Sequence, residues 1–366
     1  MKFTINKKTF LKSLQKLNSI ISITHENEAT KNILLDIHKN HASFFSTNIE
    51  LELIDTIYNI KIEKPGKILV SGKKILNVIR SFPNNTEIKI EIIKEIMKIK
   101  YKNICFMLKT LTSNIFPKYI TEKDTYNIHI QQNILKKIIE NTYFSMSKND
   151  IRHYLNGINI IINKNKIISV ATDGYRMAIS EFNNVNFKKK LSIIIPRKTI
   201  LEILKLLNNV EKKITINFGE KSIKFILDNY TISSRMIDHN FPNYKNLLIQ
   251  DFDNKIKIPK EKIKQALNRS AIITDKNFQG VRIKFHKGLC NIHSKNEYEE
   301  EILETFEIEY YEPSITLTIN INYLLDVINV IDNDVITILL SKKNDSIYIQ
   351  HLKQCHSFYI IMPLIL

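Results

Sequence analysis

A strand-then-helix pattern recurs three times at nearly constant spacing, and this repeat constrains the fold more than any other feature of the chain. Apolar and polar residues alternate, then change to helical spacing, in FTINKKTFLKSLQKL from Phe3, IHIQQNILKKIIENT from Ile128 and IKIPKEKIKQALNRS from Ile256. Ile5, Ile130 and Ile258 correspond, so the period is 125 and then 128 residues. A second series lies inside each unit: ILVSGKKILNVIRSF from Ile68, IIIPRKTILEILKLL from Ile193 and LTININYLLDVINVI from Leu317. Between these modules, runs such as TEIKIEIIKEIMKIKYKNICFML and KITINFGEKSIKFILDNYTISS alternate with period 2 and read as antiparallel strands and hairpins. The expectation is an α+β chain of three tandem domains of one fold, 1–122, 123–249 and 250–366, each with two helices backed by antiparallel sheet. A length of 366 residues agrees, being too great for one hydrophobic core.

The helices carry cations on the side away from their apolar stripe. Phe10, Leu14 and Leu17 share one face of the first helix, and Lys8, Lys12 and Lys16 recur at i, i+4 and i+8 on another. Lys73, Lys74 and Arg80, then Lys136 and Lys137, then Arg197, Lys198 and Lys205, then Lys260, Lys264 and Arg269 flank the next four. The sixth helix breaks the pattern, with only Asn322, Asp326 and Asn329 in comparable places. With 54 Lys and Arg against 37 Asp and Glu, the formal net charge is +17. The chain is also rich in Lys, Asn and Ile and has 7 Gly, the bias of AT-rich coding, so position rather than the sum must decide. Recurrence on repeated helices points to a surface that meets phosphates, bound without sequence preference and weakened by salt.

Signs of chemistry are few. The glycines form neither GxxxxGK[ST] nor GxGxxG, and there is no HExxH or GxSxG. Cys105, Cys290 and Cys355 are far apart and lack CxxC spacing, so they read as reduced thiols, with no metal or cofactor expected. Asp173-Gly174 could be a catalytic Asp, but between strand-like runs it reads as a turn. Asp332-Asn333-Asp334 likewise reads as a polar turn. His153, beside Arg152, reads as an exposed histidine. MKFTINKK has no apolar h-region and no run approaches the roughly 18 residues of a membrane span, so a cytoplasmic protein with no membrane partner is expected. The segment FYIIMPLIL is unusually apolar, and Pro363 disfavours a regular strand, which suits a groove for a partner peptide.

FSMSKNDIRHYLNG (Phe144 to Gly157), VATDGYRMA (Val170 to Ala178), IIPRKTILEIL (Ile194 to Leu204), FPNY (Phe241 to Tyr244), GVRI (Gly280 to Ile283) and YIIMPLIL together resemble the bacterial β sliding clamp family, over the whole chain. The resemblance implies a homodimer closed head to tail into a ring around double-stranded DNA. Its partners would be the DNA polymerase III alpha subunit, the clamp-loader complex and other proteins with clamp-binding motifs. It implies a peptide groove at Arg152, Tyr154, Leu155, Thr172, Gly174, Tyr175, Arg176, Met177, Pro242, Leu247, Ser346, Ile360, Met362, Pro363 and Leu364. DNA contacts are expected from Lys8, Lys12, Lys73, Arg80, Lys136, Asn149, Arg197, Lys198 and Arg269. The dimer contact would set Lys74, Phe106 and Leu108 against Ile272, Ile273, Glu300 and Glu304. The chain departs from the family in its basic balance and at Thr24, where a basic loop residue is common. Tyr175, Asn246 and Ile365 replace residues that are commonly His, Arg and Arg, making the groove less polar. The competing readings are a metal-dependent nucleic-acid enzyme using Asp173 and a scaffold independent of DNA.

Overall fold

The computed structural model describes residues 1–21, 28–117, 124–183, 187, 190–248, 252–274, 279–341, 346–352 and 355–364. Six helices occur among them: α1 (Lys7–Asn18), α2 (Gly72–Ser81), α3 (Gln132–Glu140), α4 (Arg197–Leu206), α5 (Lys260–Ile273) and α6 (Ile321–Val330). Each follows directly on a strand, as the repeat requires. The switch from strand to helix has local causes. Asn6 and Asn320 cap α1 and α6, their side chains accepting from Lys8 N at 2.9 Å and Asn322 N at 3.0 Å, which satisfies donors that the first turn leaves open. Pro196 and Pro259 end the strands before α4 and α5, with φ preset for helix entry and no amide hydrogen to leave unpaired. No helix among the described residues is long and apolar enough to cross a membrane.

The chain divides into two compact units, Met1–Gln132 with Leu201–Met236, and Asn133–Ile200 with Ile237–Leu366. The middle repeat is therefore shared between them. In the first unit one antiparallel sheet runs in the order Tyr126–Gln131, Lys213–Phe218, Ser222–Leu227, Tyr230–Arg235, Leu51–Ile57, Ala42–Thr47, Asn32–Ile37, Gly66–Ser71, Ile104–Leu111, Ile96–Tyr101, Glu87–Ile93, Lys2–Asn6 and Lys61–Lys64. Its first and middle repeats join where Ile232 stands opposite Leu53. Ile104–Leu111 touches Gly66–Ser71 only at Leu69↔Leu111 and Val70↔Thr110, so most of that side has no partner strand among the described residues. Helix α1 buries Phe10, Leu14 and Leu17 and packs on α2. A Cβ on Gly72 would fall 2.4 Å from Ile21 Cδ1 and 2.8 Å from Asn18 Oδ1, so the start of α2 can meet the end of α1 only without a side chain.

The second unit holds two sheets. Eight strands run in the order Lys190–Pro196, Gly157–Asn163, Lys166–Thr172, Arg176–Asn183, His356–Ile361, Ile347–Leu352, Val335–Ser341 and Phe252–Pro259. Four more run Glu301–Glu307, Leu289–Lys295, Gly280–His286 and Ile315–Asn320, with Glu301–Glu307 at an edge. Helices α5 and α6 pack together over a core of Ile263, Leu267, Val281, Ile283, Phe285, Leu324, Ile328, Ile338 and Tyr359. The hairpins expected from the period-2 runs are present, as Glu87–Ile93, Ile96–Tyr101 and Ile104–Leu111, and as Lys213–Phe218, Ser222–Leu227 and Tyr230–Arg235. Cys105 is exposed, Cys290 and Cys355 are buried, and all three are free thiols.

Candidate peptide groove and surface contacts

Strands Arg176–Asn183 and His356–Ile361 pair antiparallel, with Met177 opposite Ile360 and Arg176 opposite Ile361. Met177 and Ile360 belong to one buried apolar cluster with Val170, Ile179, Tyr244 and Tyr348, against which Phe241 and Leu247 pack. Pro363 donates no hydrogen bond, yet its neighbours hold the last described segment in place. Met362 N donates to Tyr175 O at 2.9 Å and Leu364 N donates to Thr318 O at 2.7 Å.

The Asp173-Gly174 pair is a turn, and it builds the rim of this site. Asp173 Oδ1 accepts from Tyr175 N and Arg176 N, both at 3.0 Å. Thr172 Oγ1 accepts from Gly174 N at 3.1 Å and donates to Arg176 O at 2.7 Å. Gly174 has φ +95°, a left-handed conformation, and a Cβ there would lie 3.2 Å from Arg152 Nη2. The Arg152 guanidinium donates to both oxygens of Asp150 at 3.0 Å, and this hydrogen bonding holds the Asp150 carboxyl at about 2, below its ordinary range.

Arg176 is the most constrained side chain of the site. Its Nε donates to Asp173 Oδ2 at 3.0 Å, its Nη1 to Asp326 Oδ2 at 2.6 Å and its Nη2 to Phe144 O at 2.5 Å. The guanidinium carbon lies 4.3 Å from the centre of the Tyr323 ring and 5.6 Å from that of Phe144. Burial is the first cause, and the neighbouring Asp173 carboxylate the second, of the raised Tyr323 pKa.

Leu155, Thr172 and Ser346 are buried, Tyr154, Arg176, Leu247, Pro363 and Leu364 half-buried, and Arg152, Gly174, Tyr175, Pro242 and Met362 exposed. Apolar wall and polar rim thus come together from segments far apart in sequence. Sequence reasoning missed Phe144, Asp150, Tyr244, Tyr323 and Asp326 as members of the site. The break in the cation pattern at α6 was the available signal for Asp326. A cavity of about 940 Å³ lined by Lys257, Pro259, Tyr311 and Val335 contains none of the groove residues. Ile365 and Thr24 lie outside the described residues. Asn246 and Tyr175 are exposed.

Of the residues expected to meet DNA, Lys8, Lys12, Lys73, Arg80 and Asn149 are exposed, and Lys136, Arg197 and Lys198 half-buried. Several helix cations are already engaged. Lys16 Nζ donates to Lys205 O, Lys136 is 3.9 Å from Glu140 and Lys137 is 2.8 Å from Asp332. Arg197 Nη1 donates to Met146 O at 3.1 Å. Exposed Arg269 pairs through two nitrogens with Glu304, Nε lying 2.8 Å from Oε2. One ion pair therefore joins a residue expected to contact DNA with one expected at the dimer contact.

For the dimer contact, Lys74 and Glu300 are exposed, and Phe106, Leu108, Ile273 and Glu304 half-buried. Ile272 is 80% exposed, far beyond what a β-branched apolar residue at the end of a helix needs. Leu108 also lines a cavity of about 620 Å³ with Ile96 and Met107.

Asp173 has its oxygens committed to the turn and to Arg176, and no group of three His, Cys, Asp or Glu placed to hold a metal occurs among the described residues. The family models for the DNA polymerase III beta subunit match in order: the N-terminal domain over residues 1–120, the central domain over 129–243 and the C-terminal domain over 245–365. The beta sliding clamp of Buchnera aphidicola subsp. Rhopalosiphum padi is 36% identical over 367 residues, covering 100% of both chains. That of Pseudomonas aeruginosa is 30% identical over 365 residues, again covering 100% of both. The crystal structure of the Pseudomonas aeruginosa DNA polymerase III subunit beta superposes with a TM-score of 0.93 over 100% of each chain, at 30% identity. With its three domains matched end to end and its relatives matched over their whole length, the chain belongs to the DNA polymerase III beta subunit family and is a DNA sliding clamp, a processivity factor and not an enzyme.

Proposed function

We propose that two copies close head to tail around duplex DNA and that the groove at Met177, Ile360 and Met362 receives short apolar peptide motifs. The peptides would belong to the DNA polymerase III alpha subunit, the clamp loader and other clamp-binding proteins, all met in the cytoplasm where the DNA is. The three domains are read as 1–122, 123–249 and 250–366. One observation carries the ring: among the described residues, each copy has a strand left largely unpaired on one side, Ile104–Leu111, and an edge strand, Glu301–Glu307, and the two differ in charge. Ile104–Leu111 runs beside Lys98, Lys100, Lys102 and Lys109, whereas Glu301–Glu307 bears Glu301, Glu304 and Glu307 and follows Glu299 and Glu300. An edge with unpaired backbone groups is a template for another strand, and opposite charge favours the unlike pair over two like ones. An interface that joins unlike edges is heterologous, and such interfaces close into rings when the rotation permits.

A ring holds DNA by linkage, while Lys8, Lys12, Lys73, Arg80 and the other cations need only weak phosphate contacts that let it slide. The test is retention. Protein loaded on a nicked circular plasmid should survive a high-salt wash and leave within one wash after a single restriction cut. Equal persistence on the linear product would overturn the ring.

A further inference from the structure

We propose that the cavity of about 940 Å³ in the second unit binds a nucleoside polyphosphate, with the phosphates held by Lys257, Lys262 and Lys287 and the base laid on the ring of Tyr311. None of the groove residues lines it. Of its lining, only Glu307 belongs to the edge strand that meets a second copy in the proposed ring.

Three elements bring one lysine each to this cavity. Phe252–Pro259 supplies Lys257, the first turn of α5 supplies Lys262, and the turn between Gly280–His286 and Leu289–Lys295 supplies Lys287. All three are exposed, and their ammonium groups make no hydrogen bond or ion pair with the described residues. Lys260, which opens α5, shows the contrast, since its Nζ donates to Ile331 O at 2.5 Å. Pro259 and Lys262 bracket the first turn of α5 and both line the cavity, and no side chain caps that helix. Open amide hydrogens and the positive end of a helix dipole favour phosphate oxygens. Lysines add charge without demanding a fixed geometry, which suits a flexible phosphate chain.

Tyr311 supplies the aromatic surface. Lys287 and Gly288 have φ of 44° and 81°, a two-residue hairpin turn, and Gly288 N donates to Tyr310 O at 2.7 Å, which ties the turn to the segment carrying Tyr311. A Cβ on Gly288 would lie 3.4 Å from Tyr311 Cε1, so the ring rests against the turn. The side chain is nevertheless 83% exposed, and every kind of base can stack on such a ring. The volume suits a single mononucleotide, since ligand pockets run from about 300 to 1,000 Å³. Charge argues against a longer strand. Glu307 and Glu309 line the cavity, and Glu261 and Glu312 are chain neighbours of Lys262 and Tyr311. A run of phosphates continuing past the three lysines meets carboxylates, whereas a compact polyphosphate ends among the cations.

Isothermal titration calorimetry on the intact protein tests the site, with ATP, adenosine and inorganic tripolyphosphate as probes. ATP should bind with a Kd on the order of 10–100 μM, and adenosine and tripolyphosphate each at least roughly fivefold more weakly, since each engages one part of the site. Raising salt from about 50 to about 300 mM should weaken ATP by a factor of roughly three or more. K262A/K287A should weaken ATP and tripolyphosphate about tenfold. Y311A should weaken ATP about tenfold and leave tripolyphosphate as in wild type, while Y311F keeps the ring and should match wild type on both. These side chains are exposed, so the thermal unfolding midpoint of each variant should stay with wild type, which separates binding from folding. ATP that does not bind at about millimolar concentration, tripolyphosphate as tight as ATP, or ATP binding unchanged in K262A/K287A and in Y311A would overturn the proposal. So would an oligodeoxyadenylate of about ten residues that binds more tightly than ATP and is lost in the same variants, because the site would then be one for single-stranded DNA.

Discussion

Ser180 stands directly opposite Ser357 across the strand pair that carries Met177 and Ile360, and their hydroxyl oxygens lie 3.0 Å apart. Asn141 Nδ2 reaches both, at 3.2 Å and 3.0 Å, and all three residues are fully buried. The row continues into the next strand, where Ser169 faces Ser180 and its hydroxyl lies 2.7 Å from that of Thr142. A polar row inside an apolar sheet fixes register, because a slip of one residue would strand these hydroxyls and turn Met177 and Ile360 to the opposite face.

Asn141→Leu keeps the number and branching of heavy atoms and removes the donor shared by the two serines. It should cost about 2 kcal/mol, the cost of leaving buried hydroxyls poorly satisfied. The measurement is the shift of the thermal unfolding midpoint, with Ser180→Ala/Ser357→Ala as the partner variant. Combining it with Asn141→Leu should recover part of the loss, since the orphaned groups are then gone. An unchanged midpoint in Asn141→Leu would show that the row carries no weight.

If the proposed head-to-tail dimer forms through Ile272 and Ile273, Ile272→Glu/Ile273→Glu should convert it to monomers. Ile272 is 80% exposed at the end of α5, and charge placed there must be desolvated on association beside Glu300 and Glu304. Sedimentation velocity reads the result directly. A dimer that persists at micromolar concentration would remove these two residues from the interface.

The repeated modules were legible because periodicity is local: Ile5, Ile130 and Ile258 announce strands, and Phe10, Leu135 and Ile263 announce helices, within fifteen residues each. Asp173-Gly174 was legible as a turn for the same reason. The groove membership rested on resemblance, since nothing in the sequence places Met177 beside Ile360. Pairings between distant segments, such as Ile232 with Leu53, depend on register set by the whole sheet. The clamp on Arg176 needed Asp326, on another helix and 150 residues away, so spacing could not reveal it. Net charge misleads in the same way: Lys16, Lys137 and Arg269 count as cations in the composition yet are spent on Lys205 O, Asp332 and Glu304.

Glu52 gives the fold a pH dependence. Burial is the first cause that lifts its carboxyl from 4.5 to about 7, and Lys224 opposes it. It stands opposite the buried Ser233 and Thr47 in the sheet of the first unit. The folded state therefore favours the protonated acid more than the unfolded chain does. Stability is full below about pH 4.5, falls as pH rises towards 7 and stays at its lower level above that. The shift corresponds to a loss on the order of 3 kcal/mol. Glu52→Gln should flatten that slope and raise the unfolding midpoint at pH 8, while leaving it unchanged at pH 4. Equal pH profiles for the two proteins would mean that the carboxylate is solvated in the folded state.

Lys8 and Lys12 are exposed on one face of α1, whereas Lys16, next in the same series, turns its ammonium onto the Lys205 carbonyl. Phosphate neutralisation releases counterions, so each lysine that meets duplex DNA should add about 0.9 to the slope of log affinity against log salt. Lys8→Ala and Lys12→Ala should each lower that slope by about that amount and weaken binding alike on every sequence. Lys16→Ala should leave the slope within error of wild type, because its charge is held against the protein, where burial and the nearby Lys12 also lower its pKa. Nitrocellulose filter binding to a short duplex between 50 and 200 mM salt resolves slope changes of this size. Three equal slopes would mean that the cationic face of α1 acts as one diffuse field and not through individual contacts, and a larger change at Lys16 than at Lys8 would reverse the assignment of which lysines face the phosphates.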